Sequence, residues 1–174
     1  MSEPNSPQPD SSMAKWFMIA AWCIGLSLIT YVFAGMLDRQ YNPNQDPETR
    51  LSGANTEVVL ERNRAGHYVA TGIINGEPVV FLVDTGATSV SIPAHLADRL
   101  RLTPGRTAYA QTANGVVTVA QTQIDTIQLG GIQLRNVAAN LNPGMQDDEI
   151  LLGMSFLTQV EFTQKGNTLI LRTL

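Results

Sequence analysis

Asp84 is followed by Thr85, Gly86, Ala87 and Thr88 and preceded by the apolar run Val79-Val80-Phe81-Leu82-Val83. Such a run reads as a buried strand that delivers an acid straight into a tight Thr-Gly turn. Aspartate is almost never fully buried unless it is paired or has chemistry to perform. Two carboxylates facing each other share a proton and make an acid/base pair for peptide hydrolysis. This chain carries one acid of that kind, because Asp125-Thr126 is followed by Ile127 and lacks the required glycine. A two-acid site therefore demands a symmetric homodimer, with one Asp84 from each copy on the two-fold axis.

Other chemistries find less support. The net charge is −4, and Lys and Arg are scattered rather than clustered, so nucleic acid is not an expected partner. A single cysteine, Cys23, excludes a disulfide within the chain. No Cys/His cluster has metal-ligand spacing, and neither a metal nor a cofactor is expected. His67 and His95 are isolated and read as turn-flanking and helix-surface residues. Asp147-Asp148-Glu149, beside the loop signal Asn142-Pro143-Gly144, reads as a solvated charge run rather than a cation site.

The elements that must position Asp84 lie in the second part of the chain. Residues 1–15 are rich in Ser, Pro and Gln and read as a disordered tail. Residues 16–37 contain no charged side chain and match the roughly 20 residues of a membrane-crossing helix. Trp16, Trp22 and Tyr31 suit interface anchoring, and Ala21-x-x-x-Gly25 is a small-xxx-small pair. A cleaved leader is the alternative, since Val32-Phe33-Ala34 loosely fits the small-residue rule. The apolar run is longer than a usual signal core, which favours an uncleaved anchor. Residues 38–55, with Pro43 and Pro47, read as a polar linker, and 56–174 as one domain of about 120 residues.

Within that domain the pattern is short β segments separated by turn signals. Strands are expected at 56–61, 67–74, 79–83, 90–92, 107–112, 116–125, 127–129, 132–138, 160–163 and 168–172. Asn75-Gly76 and Ala113-Asn114-Gly115 carry hairpin chemistry. Pro93 opens an expected helix through Leu100, with Leu96 and Leu100 on one face. Ile150-Leu151-Leu152-Gly153 is a second apolar run, ended by a glycine that permits close backbone approach. An ordinary strand end explains that run equally well when it is taken alone.

The ordered set Phe81-Leu82-Val83-Asp84-Thr85-Gly86-Ala87-Thr88, Thr112-Ala113-Asn114-Gly115 and Ile150-Leu151-Leu152-Gly153-Met154-Ser155-Phe156-Leu157 resembles the retropepsin-like aspartic proteases, specifically their bacterial single-pass membrane-anchored type. The resemblance implies an all-β fold, a closed β-barrel with one short helix, preceded by one transmembrane helix. It implies that Asp84 is the catalytic acid, with Thr85, Gly86, Ala87 and Thr88 supporting its loop. Thr85 would reach across to its copy in the other subunit. Ala113, Asn114 and Gly115 would form the tip of a flap, and Leu151, Leu152 and Gly153 would brace the active-site loop from behind.

By the same resemblance the partners are a peptide or protein substrate, a second copy of the chain, and a membrane crossed by 16–37. The domain would lie on the periplasmic side of a bacterial inner membrane. Val, Ile and Leu lining its pockets would favour apolar residues near the cut. Retroviral members carry Asp and Arg where this chain has Thr88 and Met154, so their Asp–Arg brace cannot form. A different reading keeps the barrel but makes the domain a non-catalytic peptide-binding or regulatory module. A third leaves Asp84 as a turn-former bonded to the Gly86 and Ala87 amides.

Overall fold

The computed structural model describes residues 11–53, 55–112 and 115–174. Contacts divide the chain into two compact units, the second being Arg39–Leu174. Helix α1 spans Ser11–Tyr41 as one uninterrupted element. Its apolar side chains are exposed all round, so no core explains them, and it is long and apolar enough to cross a membrane. The helix outruns the expected 16–37 at both ends. Once nucleated, a helix adds residues such as Met13, Ala14 and Lys15 at little cost. Residues 1–10 of the expected tail lie outside the described residues.

The expected linker at 38–55 is structured. Beyond α1, Asn42 and Asn44 are buried, and strand β1 (Glu48–Ser52) pairs antiparallel with β2 (Asn55–Glu61). Asn44 is the fastening: its Nδ2 donates to Glu61 O at 2.9 Å and Val69 O at 2.7 Å, and its Oδ1 accepts from Glu61 N at 2.6 Å. Its own carbonyl accepts from Thr71 N at 3.0 Å. Asn42 adds a bond from its Nδ2 to Thr71 Oγ1 at 2.9 Å. Polar composition suggested a loose tether; here the Asn44 amide replaces strand partners that backbone groups would otherwise lack.

Nine further strands follow: β3 (Val69–Ile74), β4 (Glu77–Val83), β5 (Val90–Pro93), β6 (Thr107–Thr112), β7 (Gly115–Leu129), β8 (Ile132–Asn142), β9 (Glu149–Leu152), β10 (Val160–Lys165) and β11 (Thr168–Thr173). One sheet has the order β1-β2-β11-β10, the other β3-β4-β9-β5-β8-β7-β6. A further pairing of β3 with β7, through Ile73↔Gln128 and Ile74↔Ile127, curls the second sheet back on itself. The expected barrel is thus a ring with two thin seams, the other being the single pair Ser91↔Leu151 between β5 and β9. The β3–β4 turn is Asn75-Gly76 with φ of 51° and 88°, the left-handed conformation that a two-residue hairpin needs. Residues expected as two strands at 116–125 and 127–129 form one long β7, and β8 runs four residues beyond its expected end.

Alternation sets the core. Val79 and Phe81 of β4, Val90 and Ile92 of β5, Ile150 and Leu152 of β9, and Leu169 and Leu171 of β11 all point into one apolar cluster. Each fully buried side chain of this kind contributes about 1.5–3 kcal/mol. The expected helix over 93–100 is only a single 3₁₀ turn, Ala94–Leu96, followed by separate turns. Leu96 and Leu100 are nonetheless both buried as their spacing requires. Arg101, at φ 56°, ends the last of these turns, with Leu102 N donating back to Ala97 O at 2.9 Å. The short helix of the fold is instead α2, Met154–Leu157, which buries Phe156 and Leu157.

Asn44→Ala should destabilise the Arg39–Leu174 unit by about 2–4 kcal/mol, because it strands buried backbone groups of two strands. Urea unfolding of the fragment 39–174 checks this. A midpoint unchanged from wild type would mean that the segment before β1 is not part of the folded unit.

Candidate active site

Strand β4 ends at Val83, and the chain turns at once. Asp84 N donates to Leu152 O at 3.2 Å, Ala87 N to Asp84 O at 3.3 Å, and Met154 N to Ala87 O at 2.8 Å. The loop 84–89 is therefore bonded on both flanks to the chain leaving β9. That chain passes directly beneath it at Gly153. A Cβ there would lie 2.4 Å from Ser89 O and 2.6 Å from Ala87 O, closer than any real side-chain contact. Only glycine lets the two backbones cross. A buried methyl gains about 0.8 kcal/mol, which cannot offset overlap with two carbonyls.

The strands on either side hold this crossing. β4 runs parallel to β9 through Val80↔Glu149 to Val83↔Leu152, and β5 parallel to β8 through Val90↔Ala139 to Pro93↔Asn142. Ser155 then ties the far end of the loop: its Oγ accepts from Val90 N at 2.9 Å and donates to Ala138 O at 2.7 Å. Met154, where the Arg of a retroviral brace would stand, packs half-buried against the core, and Thr88 is exposed. Within the chain the loop is held by backbone bonds and Ser155 rather than by an ion pair.

Asp84 is half-buried, and its Oδ1 accepts from Gly86 N at 2.8 Å. The Ala87 amide goes to the backbone carbonyl of Asp84 instead of to its carboxylate. The carboxylate opens onto a groove of about 1410 Å³. Gly86, Ala87 and Thr88 share this edge with it, and Leu151 enters the same groove from β9. Thr85 is exposed at the crest of the loop, while Leu152 and Gly153 are buried behind it.

The opposite wall is the β6–β7 hairpin, through Ala108, Tyr109 and Ala110 on one strand and Val117 and Val119 on the other. Thr112↔Gly115 is its last pair. Of the expected flap tip, Gly115 begins β7, and Ala113 and Asn114 lie outside the described residues.

Sequence reasoning missed the polar part of the groove. Val117, Val119 and Leu151 supply some of the expected aliphatic lining, but Ser89, Ser91, Asn140, Asn142, Gln121 and Gln123 stand among them. The signal was present as the alternation Ala139-Asn140-Leu141-Asn142, in which apolar and amide side chains take opposite faces. In the acid run 147–149, Asp147 and Asp148 are exposed, as a solvated charge run requires, and only Glu149 is half-buried. His95 Nε2 meets Asp148 Oδ1 at 2.7 Å, and the Tyr41 hydroxyl donates to Glu149. Among the described residues no group of three or more His, Cys, Asp or Glu could hold a metal ion.

This geometry has counterparts. A crystal structure of a retropepsin-like aspartic protease from Rickettsia conorii matches with a TM-score of 0.57 and 26% identity, covering 74% of this chain and 94% of that one. An uncharacterized protein encoded in the cobV 5′ region of a Sinorhizobium species is 34% identical over 111 residues, 62% of this chain and 48% of its own length. The uncharacterized protein RP867 of Rickettsia prowazekii (strain Madrid E) is 25% identical over 149 residues, 81% of this chain and 64% of its own. The matches thus span between about half and two thirds of those two relatives. The family model described as gag-polyprotein putative aspartyl protease matches residues 70–159, from β3 through the acid loop, the hairpin and Gly153 to the end of α2. By that match, over more than half of its length, the chain belongs to the gag-polyprotein putative aspartyl protease family, with the retropepsin-like fold.

Proposed function

We propose that this protein is a membrane-anchored aspartic endopeptidase, active as a homodimer, in which two Asp84 carboxylates activate a water for peptide hydrolysis. The observation that carries the reading is a half-buried acid on a backbone-locked loop, opening onto a groove whose far wall is a β-hairpin. Among the described residues that line the groove, Asp84 is the only one with a carboxylate, so each subunit offers half of an acid pair.

Brought together on a two-fold axis, the pair holds one proton, because like charges so close cannot both ionise. The ionised carboxylate takes a proton from water as the water oxygen attacks the scissile carbonyl. The protonated partner donates a hydrogen bond to the oxygen on which negative charge develops. The acid that gained the water's proton then delivers it to the leaving amine. Substrate lies extended in the groove, its backbone pairing with the β6–β7 hairpin as an added strand. Thr85, exposed on the crest, is positioned to meet its copy across the axis. The apolar helix α1 serves as a single-pass anchor with the domain in the periplasm. Confinement to one membrane raises the effective concentration of the subunits, so a modest dimer contact suffices.

Asp84→Asn should abolish cleavage of a peptide library while leaving the thermal unfolding profile of the domain in place; retained cleavage would reject the acid's assignment. Specific activity of the fragment 39–174 should fall on dilution through the dimer dissociation range, followed by light scattering on the same samples. Constant specific activity from a demonstrated monomer would remove the shared site. Gly153→Ala should cut activity at least a hundredfold by displacing the 84–89 loop, at a stability cost of about 1–3 kcal/mol. Wild-type turnover in a folded Gly153→Ala protein would show that the loop does not depend on the crossing.

A further inference from the structure

A row of uncharged polar side chains crosses the groove face of three neighbouring strands. Ser91 of β5 is in register with Asn140 of β8, and Asn140 with Gln121 of β7. Their chain neighbours Val90, Ile92, Ala139 and Leu141 are buried in the core, so alternation turns Ser91 and Asn140 to the groove. Ser91, only 7% exposed, donates from Oγ to Asn140 Oδ1 at 2.8 Å. Asn140 Nδ2 in turn donates to Ser89 Oγ at 2.8 Å. The nearby Asn142 is 6% exposed, with its Oδ1 accepting from Gly144 N at 2.8 Å.

These two bonds fix the direction of the Asn140 carboxamide and use half of its capacity. A primary amide has two N–H donors and an oxygen with two lone pairs, so one donor and one acceptor site remain. Asn140 is half-buried, and among the described residues lining the groove only Asp84 carries a charge. An alkyl side chain resting there would desolvate the remaining donor and acceptor without pairing them. A carboxylate would offer acceptors only, and an ammonium donors only. A hydroxyl carries donor and acceptor on one oxygen and reaches one of the two sites well; another primary carboxamide, with donor and acceptor on separate atoms, matches both at once.

We infer that Asn140 is a specificity-determining residue, reading a glutamine or asparagine side chain of the peptide substrate close to the scissile bond. Ser89 and Ser91 are positioning residues that hold its carboxamide in register. The inference deepens the endopeptidase reading and rests on it for the presence of a peptide in the groove. A site built to hydrogen-bond a polar side chain discriminates against an apolar one of similar size more sharply than an apolar pocket discriminates between methylenes.

The test uses the full-length protein in detergent and peptides that differ only by Gln against Met at each position flanking the cut. At one position kcat/KM should favour Gln by about tenfold or more. Asn140→Leu should bring that ratio near one, and Ser91→Ala, which keeps Asn140 but releases its oxygen, should lower it part of the way. A ratio near one at every position in wild type, or one unmoved by Asn140→Leu, overturns the inference. If Asn140→Leu does not fold, the Ser91→Ala ratio decides.

A second measurement separates this inference from the hydrolase reading. In Asp84→Asn protein, the side-chain amide NMR signals of Asn140 should shift on titration with the Gln peptide and not with the Met peptide. That shift without cleavage by wild type would sink the hydrolase reading alone. Cleavage by wild type without the shift would sink the carboxamide preference alone, and absence of both would sink the two together.

Discussion

Two backbones cross with no room for a side chain between them, and the whole site is built around that contact. The loop carrying Asp84 rests on Gly153, bonded through Asp84 N to Leu152 O and through Met154 N to Ala87 O. Strand β9 lies between β4 and β5 and pairs with both, which brings the two ends of the loop to the same place. An acid on an ordinary surface loop would sample many positions. Here its backbone is specified by bonds on both flanks and by a contact that tolerates no added atom, so little ordering remains to be done when substrate arrives.

The same arrangement decides what surrounds the acid. Strand alternation sends Val90, Ile92, Ile150 and Leu152 inward and leaves Ser91 and Leu151 for the groove. One face of each strand stabilises the domain while the other forms the groove, and a one-residue slip would exchange them. Burial of the inward set is what makes that register certain. The polar row therefore owes its position to the apolar residues between its members.

The β1-β2-β11-β10 sheet extends the domain beyond the barrel. Arg172 of β11 stands between Glu57 and Glu161 of its two neighbours, and pairs with both. The pair with Glu161 is exposed and contributes little to stability, while the pair with Glu57 is part-buried. The buried amide of Asn44 satisfies backbone groups of β2 and β3 that have no strand partner at that point, and Asn42 holds it there by accepting from Asn44 N and donating to the Thr71 hydroxyl. In consequence the chain from Asn42 onward is folded against the domain rather than acting as a free tether.

How much of this the sequence reveals follows the range of each interaction. The apolar run ahead of Asp84, the Asn75-Gly76 turn and the glycine closing 150–153 are local signals, and each lies where its pattern indicates. Strand β1 carried no such signal: Glu48, Thr49, Arg50 and Leu51 are all exposed, and the strand exists through its pairing with β2. Residues 93–100 show the reverse, with helical spacing of Leu96 and Leu100 satisfied by packing while the backbone takes a series of turns. The extent of β8, and with it Asn140, depended on β7 and β5 lying alongside. By itself, then, the sequence determined that an acid leaves a buried strand into a glycine turn, and that a barrel of short strands surrounds it. Only the tertiary structure decided that Gly153 lies beneath that acid's loop and that Ser91, Asn140 and Gln121 share one row. Those contacts join residues far apart along the chain, and their geometry is set by strand register, which no local pattern encodes.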